Sequence, residues 1–276
     1  MQKIEVGVIG TGWCGGIRAE ALARHAMVKA LHIAEIKPER LREMAQKTQP
    51  ATATADWHEI ARNPGIAAVY ISATPEPTHY PMAKECLLAG KHVFLEKPMA
   101  MTLEEADELI GISRSGKLKF TIGYSQRFNT KFAYVRRSVR DGSIGTPVSV
   151  LVSRHISRSL GNKITGRTRL SPAAMESTHD LDFVLWCLEP AKPVRVYSQN
   201  NYGALKAATG ADVPDLQWIN VTMDNGVSFV VGGGWSLPPG YPNLSTTWIE
   251  MIGTDGAVFV DDSHRDVVIN TMKSSM

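Results

Sequence analysis

The sequence predicts an α/β chain in which a doubly wound parallel sheet is followed by an α+β domain with a large, mostly antiparallel sheet. Three observations carry this. The chain opens with a short apolar run that turns into Gly10-Thr11-Gly12-Trp13-Cys14-Gly15. Up to about residue 122, short apolar runs alternate with helical stretches. After Gly123, strand-like runs mostly follow one another with turn residues between them and no helices. The domains expected are therefore 1–122 and 123–276.

In the first domain the strands fall at 5–9, 30–35, 68–72, 92–95 and 119–122. The helices between them fall at 17–24, 38–47, 57–62, 80–89 and 103–114. Pro38 opens the second helix, and Gly90 stops the fourth. The last helix begins Thr102-Leu103-Glu104-Glu105, a capping box that satisfies orphan N–H groups with a hydroxyl and a carboxylate. Strands separated by helices of this length imply parallel crossovers. In the second domain, helices are expected at 131–141 and 172–188. Strands are expected at 148–153, 194–199, 217–223, 227–231, 246–252 and 257–260. Asp224-Asn225-Gly226 between alternating runs marks a hairpin.

The glycine motif needs each residue type for its own reason. Gly10 makes the tight strand-to-helix turn, Gly12 lets the backbone approach a pyrophosphate, and Gly15 lets helix and strand pack closely. The first N–H groups of that helix then face the phosphates. Glu35 ends the next strand, about 20 residues on, where a carboxylate accepts hydrogen bonds from the adenosine ribose and repels a 2′-phosphate. NAD is the expected cofactor, held by Gly10, Thr11, Gly12, Trp13, Cys14, Gly15 and Glu35. NADP stays open because Lys37 and Arg40 lie close by. Trp13 either covers the pyrophosphate or nicotinamide or packs within the loop.

Composition narrows the classes. A net charge of +3 with no long basic run argues against nucleic acid as a partner. Cys14, Cys86 and Cys187 are odd in number and lack metal spacing, so they read as free thiols in a reducing compartment. His25, His32, His58, His92, His155 and His264 show no ligand spacing either, and no metal is expected. No apolar stretch reaches about 18 residues, so no membrane span is expected. The first strand starts near Met1 and leaves no room for a signal peptide, which points to the cytoplasm.

Lys97 follows a strand's C-terminal end, where ligands bind in such sheets. On the 172–188 helix, His179, Asp182 and Trp186 share one face, while Leu181, Leu185 and Leu188 share another. A histidine titrates near neutrality and can be held by a carboxylate one turn away, so His179 is a candidate proton acceptor or substrate ligand. The stretch from 154 to 169 carries Arg154, Arg158, Lys163, Arg167 and Arg169 without an acid. It reads as a solvated mobile loop, a subunit contact, or a site whose guanidinium groups pair with a substrate carboxylate or phosphate. The antiparallel sheet needs cover on the face away from its helices, which implies a homodimer or homotetramer through that sheet. Residues 227–231 and 232–235 together with Trp248 are the candidate cover.

Taken together, these motifs resemble the Gfo/Idh/MocA family of dehydrogenases, which includes glucose–fructose oxidoreductase and inositol dehydrogenase. The matching pieces are the glycine motif, Ser72-Ala73-Thr74-Pro75 with His79, and 89–98 ending Glu96-Lys97-Pro98. Gly123-Tyr124-Ser125-Gln126-Arg127-Phe128 and His179-Asp180-Leu181-Asp182 complete them. The resemblance runs from residue 4 to about 260, and the family usually continues past this chain's end, implying an absent C-terminal piece.

The resemblance implies that Lys97 meets the substrate hydroxyl, while Glu96 and Pro98 shape the nicotinamide ribose side. It sets Thr74, Pro75 and His79 against the cofactor, with helix capping the other reading of His79. It puts Arg127 near the substrate end of the cofactor beside Tyr124 and Asn129; an inter-domain salt bridge is the alternative for Arg127. The loop bearing Arg158 falls at the pocket mouth. One departure stands out: the family's sugar and inositol dehydrogenases place an aspartate four residues before the histidine, where this chain has Met175. Glu176 is turned from that direction by roughly 100° on an α-helix, so either Glu176 or Asp182 compensates, or the substrate geometry differs. The activity implied is hydride transfer from a secondary hydroxyl of a sugar, sugar acid or cyclitol to the nicotinamide. Two readings stay beside it: a sugar–sugar oxidoreductase with tightly held cofactor, and a dinucleotide-sensing regulator without turnover. Lys97 together with His179 argues against the regulator.

Overall fold

A computed structural model describes residues 2–261, so His264 lies outside the described residues. The chain divides into two compact units, Met1–Gly123 and Tyr124–Met276.

The first unit runs β1 (Ile4–Ile9), α1 (Trp13–Ala23), β2 (Val28–Ala34), α2 (Pro38–Thr48), β3 (Thr52–Thr54) and α3 (Trp57–Arg62). It continues β4 (Ile66–Ile71), α4 (His79–Leu88), β5 (His92–Leu95), α5 (Leu103–Ser115) and β6 (Phe120–Ile122). The sheet order is β3-β2-β1-β4-β5-β6, and every pairing is parallel. This is the Rossmann arrangement, in which strand order reverses between β1 and β4 and opens a crevice at the strands' C-terminal ends. The central strands are buried on both faces, with Val8, Ile33, Val69, Ile71 and Leu95 fully enclosed. Thr102 caps α5 by accepting from the Glu105 N–H, which contributes about 1 kcal/mol. The Glu105 carboxylate reaches back to the Met101 N–H rather than to Thr102 itself.

The second unit runs α6 (Thr130–Arg140), β7 (Pro147–Ser157), α7 (Arg158–Thr165), a π-helical turn at Ala173–Ser177 and α8 (Thr178–Leu188). After these come β8 (Pro193–Asn201), α9 (Ala204–Thr209), β9 (Leu216–Met223), β10 (Ser228–Leu237), β11 (Trp248–Gly253) and β12 (Ala257–Asp261). Their order is β12-β11-β7-β10-β9-β8, antiparallel except between β7 and β10. One sheet face packs Val150, Val152, Val221, Phe229 and Met251 against Phe132 and Val135 of α6 and Phe183 and Val184 of α8.

The stretch expected to be a mobile loop is not one. Residues 154–157 extend β7, and α7 follows, its Gly161 so close to Trp235 that a Cβ would collide with the indole. β10 runs on through Gly232-Gly233-Gly234 for a related reason: the Trp218 ring covers Gly232, and the Arg154 carbonyl lies against Gly233. Trp235 is therefore fully buried among Ile156, Ile164, Met175 and Leu205, and cannot cover the open sheet face as expected.

His155 occupies a polar niche of this sheet, with Ser236 Oγ at 3.0 Å from Nδ1 and Ser153 Oγ at 3.3 Å from Nε2. Trp218 lies edge-on to the ring, and burial holds the imidazole below its ordinary range. The folded state thus binds this proton less readily than the unfolded chain, and stability rises with pH across that window. Urea titrations followed by tryptophan fluorescence should show this unit losing stability as pH falls below about 6.5, the unfolded histidine value. His155→Gln should flatten that slope; an unchanged slope would refute the assignment.

Candidate active site

The crevice side of the first unit begins at the glycine loop. Gly10 has φ +80°, and its Cα abuts Ala73 after β4, so both loops meet where strand order reverses. Gly15 faces the Gly10 carbonyl with no room for a side chain. Gly12 is the opposite case: a Cβ there would meet nothing within 4 Å. α1 has no side-chain cap and no acid in its first turn, so no side chain of its own takes its leading N–H groups. Open space above Gly12 and a helix N-terminus without a side-chain cap fit a pyrophosphate.

Glu35 is buried, and one oxygen accepts the Thr11 N–H (2.8 Å) and hydroxyl (3.0 Å) while the other accepts the Lys37 N–H (3.1 Å). A carboxylate has about four acceptor sites, so capacity for a ribose hydroxyl remains. The Thr11 side chain, expected to face the cofactor, is instead turned inward to Glu35, which also takes the Thr11 N–H. Arg40 donates from Nε to Thr11 O (2.6 Å) and from Nη2 to Gly12 O (3.3 Å), and Glu43 holds its Nη1 at 2.7 Å. Its guanidinium crosses Gly16, where a Cβ would displace it. The arginine that kept NADP open is committed to the loop backbone, which leaves NAD favoured. Trp13 and Cys14 are exposed on the loop.

Thr74 and Pro75 lie exposed at the end of β4. His79 does not reach toward a ligand as expected. It is buried, with Nδ1 2.7 Å from Pro98 O and Nε2 3.0 Å from Ala73 O, so the ring ties the β4 loop to the Glu96-Lys97-Pro98 turn. Lys97 is half-buried on that turn, just past β5. Glu96 meets Arg18 of α1.

In the second unit His179 opens α8, half-buried, with Tyr124 edge-on at 6.0 Å between ring centroids. The Tyr124 hydroxyl is 3.3 Å from Thr178 Oγ1. Neither carboxylate expected to compensate for Met175 is available for that purpose. Arg127 engages Asp182 with two hydrogen bonds (2.8 and 2.6 Å) and lies over Trp186, so these two predicted substrate ligands satisfy each other. Glu176 accepts from the Trp235 indole at 3.3 Å, and Met175 is buried in the apolar cluster. The π turn accounts for the misplaced direction of Glu176, because its i→i+5 winding breaks the α-helical angle. Arg158 donates to Ser236 O at 3.3 Å from the start of α7.

Sequence reasoning missed the buried carboxylate next to His179. Asp180 is enclosed, accepts from Gln126 (2.9 Å) and receives Arg154 Nε at 3.1 and 3.0 Å from its two oxygens. Arg154 also donates to Glu176 O at 2.5 Å. Burial pushes the Asp180 carboxyl upward, and the guanidinium and amide act against that. A signal was present: Val150, Val152 and Ile156 alternate inward on β7, and Arg154 takes the remaining inward position, which demands a buried partner.

A family profile described as an oxidoreductase family with an NAD-binding Rossmann fold matches residues 4–124, and the GFO/IDH/MocA C-terminal domain matches 132–259. The uncharacterized oxidoreductase YrbE of Bacillus subtilis is 27% identical over 97% of this chain and 76% of its own length. Myo-inositol 2-dehydrogenase of Thermotoga maritima is 26% identical over 97% of this chain and 78% of its own. Scyllo-inositol dehydrogenase from Lactobacillus casei, solved with NAD(H) and scyllo-inositol, superposes with a TM-score of 0.85 at 21% identity, over all of this chain and 82% of that one. At that identity the likeness supports the fold.

Proposed function

Because this chain belongs to the GFO/IDH/MocA oxidoreductase family, we propose that it is an NAD-dependent dehydrogenase oxidising a secondary hydroxyl of a cyclitol or related sugar, with Lys97 and His179 handling the proton. The observation that carries the cofactor half is the glycine loop, with its uncapped helix and the open space over Gly12. Names among the relatives, myo-inositol 2-dehydrogenase and inositol 2-dehydrogenase, motivate the substrate class. A nicotinamide held at this loop would supply the acceptor for the hydride leaving the carbinol carbon. The chain's own task is to hold the hydroxyl, take its proton and stabilise developing negative charge on oxygen. Lys97 is the group proposed to meet that hydroxyl, and His179 the acceptor or ligand supported by Tyr124. Arg127 and Asp182 then stiffen the wall behind His179 rather than touching substrate.

Two measurements test this reading together. Myo- and scyllo-inositol with NAD should raise the absorbance of reduced nicotinamide, and no reduction across a polyol panel would overturn the substrate class. Alkylation should find one fast thiol of three, because Cys14 is exposed while burial pushes the Cys86 and Cys187 thiols up to about 12. NAD should slow that reaction at least tenfold, and indifference to NAD would contradict nucleotide binding at this loop.

The second sheet presents Trp248 and Phe259, both exposed, on the face away from α6 and α8. We propose that a second copy covers it, giving a homodimer or higher oligomer. Light scattering should report a multimer that Phe259→Glu weakens; a monomer at micromolar concentration would refute this.

A further inference from the structure

The Glu96 carboxylate is held on three sides. Arg18 Nη2 lies 2.5 Å from Oε1, an ionic contact rather than a well-directed hydrogen bond. The Lys97 N–H donates to Oε2 at 3.3 Å. The carboxylate also lies against the bare Cα of Gly123, where a Cβ would come within 3.0 Å of Oε2. Both side chains of the ion pair are largely buried, 21% and 12% exposed, so solvent screens them less than a surface pair. Arg18 is itself fixed, its guanidinium stacked over Phe94 of β5 at 4.7 Å from the ring centroid. On the other side of the turn, His79 holds the Pro98 carbonyl. The residue between these two anchors is Lys97.

We propose that Arg18 is a positioning residue for the reaction: it orients Glu96, and through the Glu96–Lys97 hydrogen bond it fixes the backbone from which the Lys97 ammonium projects. Arg18 belongs to α1, the helix whose N-terminus forms the pyrophosphate seat. A single ion pair therefore ties the nucleotide-binding helix to the Glu96-Lys97-Pro98 turn. This rests on the reading of Lys97 as the group at the substrate hydroxyl. Misplacing such a group by about 1 Å is enough to cost on the order of 10²-fold in rate.

The test compares Arg18→Met, Arg18→Lys, Glu96→Gln and the Arg18→Met/Glu96→Gln double variant. Arg18→Met should lower kcat by about 10- to 100-fold while the Kd for NAD stays within about threefold, and Arg18→Lys should restore most of the loss. The double variant should be no worse than about threefold below the poorer single one, since both changes break one linkage. In nucleotide-free protein, hydrogen exchange of the peptide spanning 93–100 should be at least tenfold faster in Arg18→Met, a readout independent of turnover. Wild-type kcat in Arg18→Met, or a KM increase for NAD with kcat unchanged, would overturn the proposal. If Arg18→Met does not fold, additive losses in Arg18→Lys and Glu96→Gln, or unchanged exchange at 93–100 in Arg18→Lys, would overturn it as well. Lys97→Met separates the two levels: full turnover in that variant removes the parent reading. A dead Lys97→Met beside a fully active Arg18→Met removes this inference alone.

Discussion

Replacing Lys97 with methionine should lower kcat by about 10³-fold while leaving the Kd for NAD within a few-fold of wild type. Methionine keeps the length and apolar stem of the side chain and removes the ammonium. On the proposed reading, what is lost is the proton acceptor or donor at the substrate hydroxyl and the positive charge opposite a developing alkoxide. Those contributions exist mainly in the transition state, so kcat should carry the deficit and KM for the polyol should change much less. The proposed nucleotide seat, the glycine loop with Glu35, is held by hydrogen bonds from Thr11, Lys37 and Arg40. Stopped-flow reduction and fluorescence titration with NAD measure the two quantities separately. A variant that retains more than a tenth of wild-type kcat would exclude Lys97 as the proton-handling group.

Asp180→Ala should destabilise the second unit by about 3–5 kcal/mol, the usual cost of removing one member of a buried charge pair. Arg154 is 13% exposed and would be left with only the Glu176 carbonyl and a more distant carboxylate. Gln126 would lose its acceptor too. Four of the six tryptophans, Trp186, Trp218, Trp235 and Trp248, fall in this unit, so fluorescence-detected urea unfolding reports on it. Removing both charges with Asp180→Ala/Arg154→Met should recover a substantial part of the loss, because the uncompensated guanidinium dominates the penalty. A single variant within 1 kcal/mol of wild type would show that water already compensates Arg154.

The readable parts of the fold were those where one residue type is enforced locally. Gly10 needs its positive φ and Gly15 its contact with a carbonyl, and both demands stand in the sequence as glycine. Alternation of helices and strands carried the first sheet, except β3, whose three residues Thr52-Ala53-Thr54 are too few for a periodic signal. α7 was hidden by its basic residues and by Gly161, a poor helix former retained there because Trp235 packs against it. The helix expected over 172–188 exists, but its first turn winds as π, and no periodicity of side chains announced that.

The candidate site divides in the same way. Strand ends, helix faces and family resemblance make Lys97 and His179 candidates, and their roles are a proposal. The partners of Arg127 and Arg154 were not legible, because Asp182 and Asp180 lie 55 and 26 residues away and only the tertiary fold pairs them. Arg18 escaped for a different reason, and Arg40, read as a cation near Glu35, turned out to bind the loop carbonyls of Thr11 and Gly12. On a helix Arg18 reads as a solvated cation, and the tertiary fold alone brings it to Glu96, beside the bare Cα of Gly123.

Glu35, just past β2, and Arg40 of α2 grip the glycine loop through the chain's own hydrogen bonds. Little conformational entropy is then forfeited when a dinucleotide docks, because the receiving backbone is already ordered. Association should accordingly follow a single concentration-dependent phase governed by diffusion and orientation, without a slow rearrangement step after encounter.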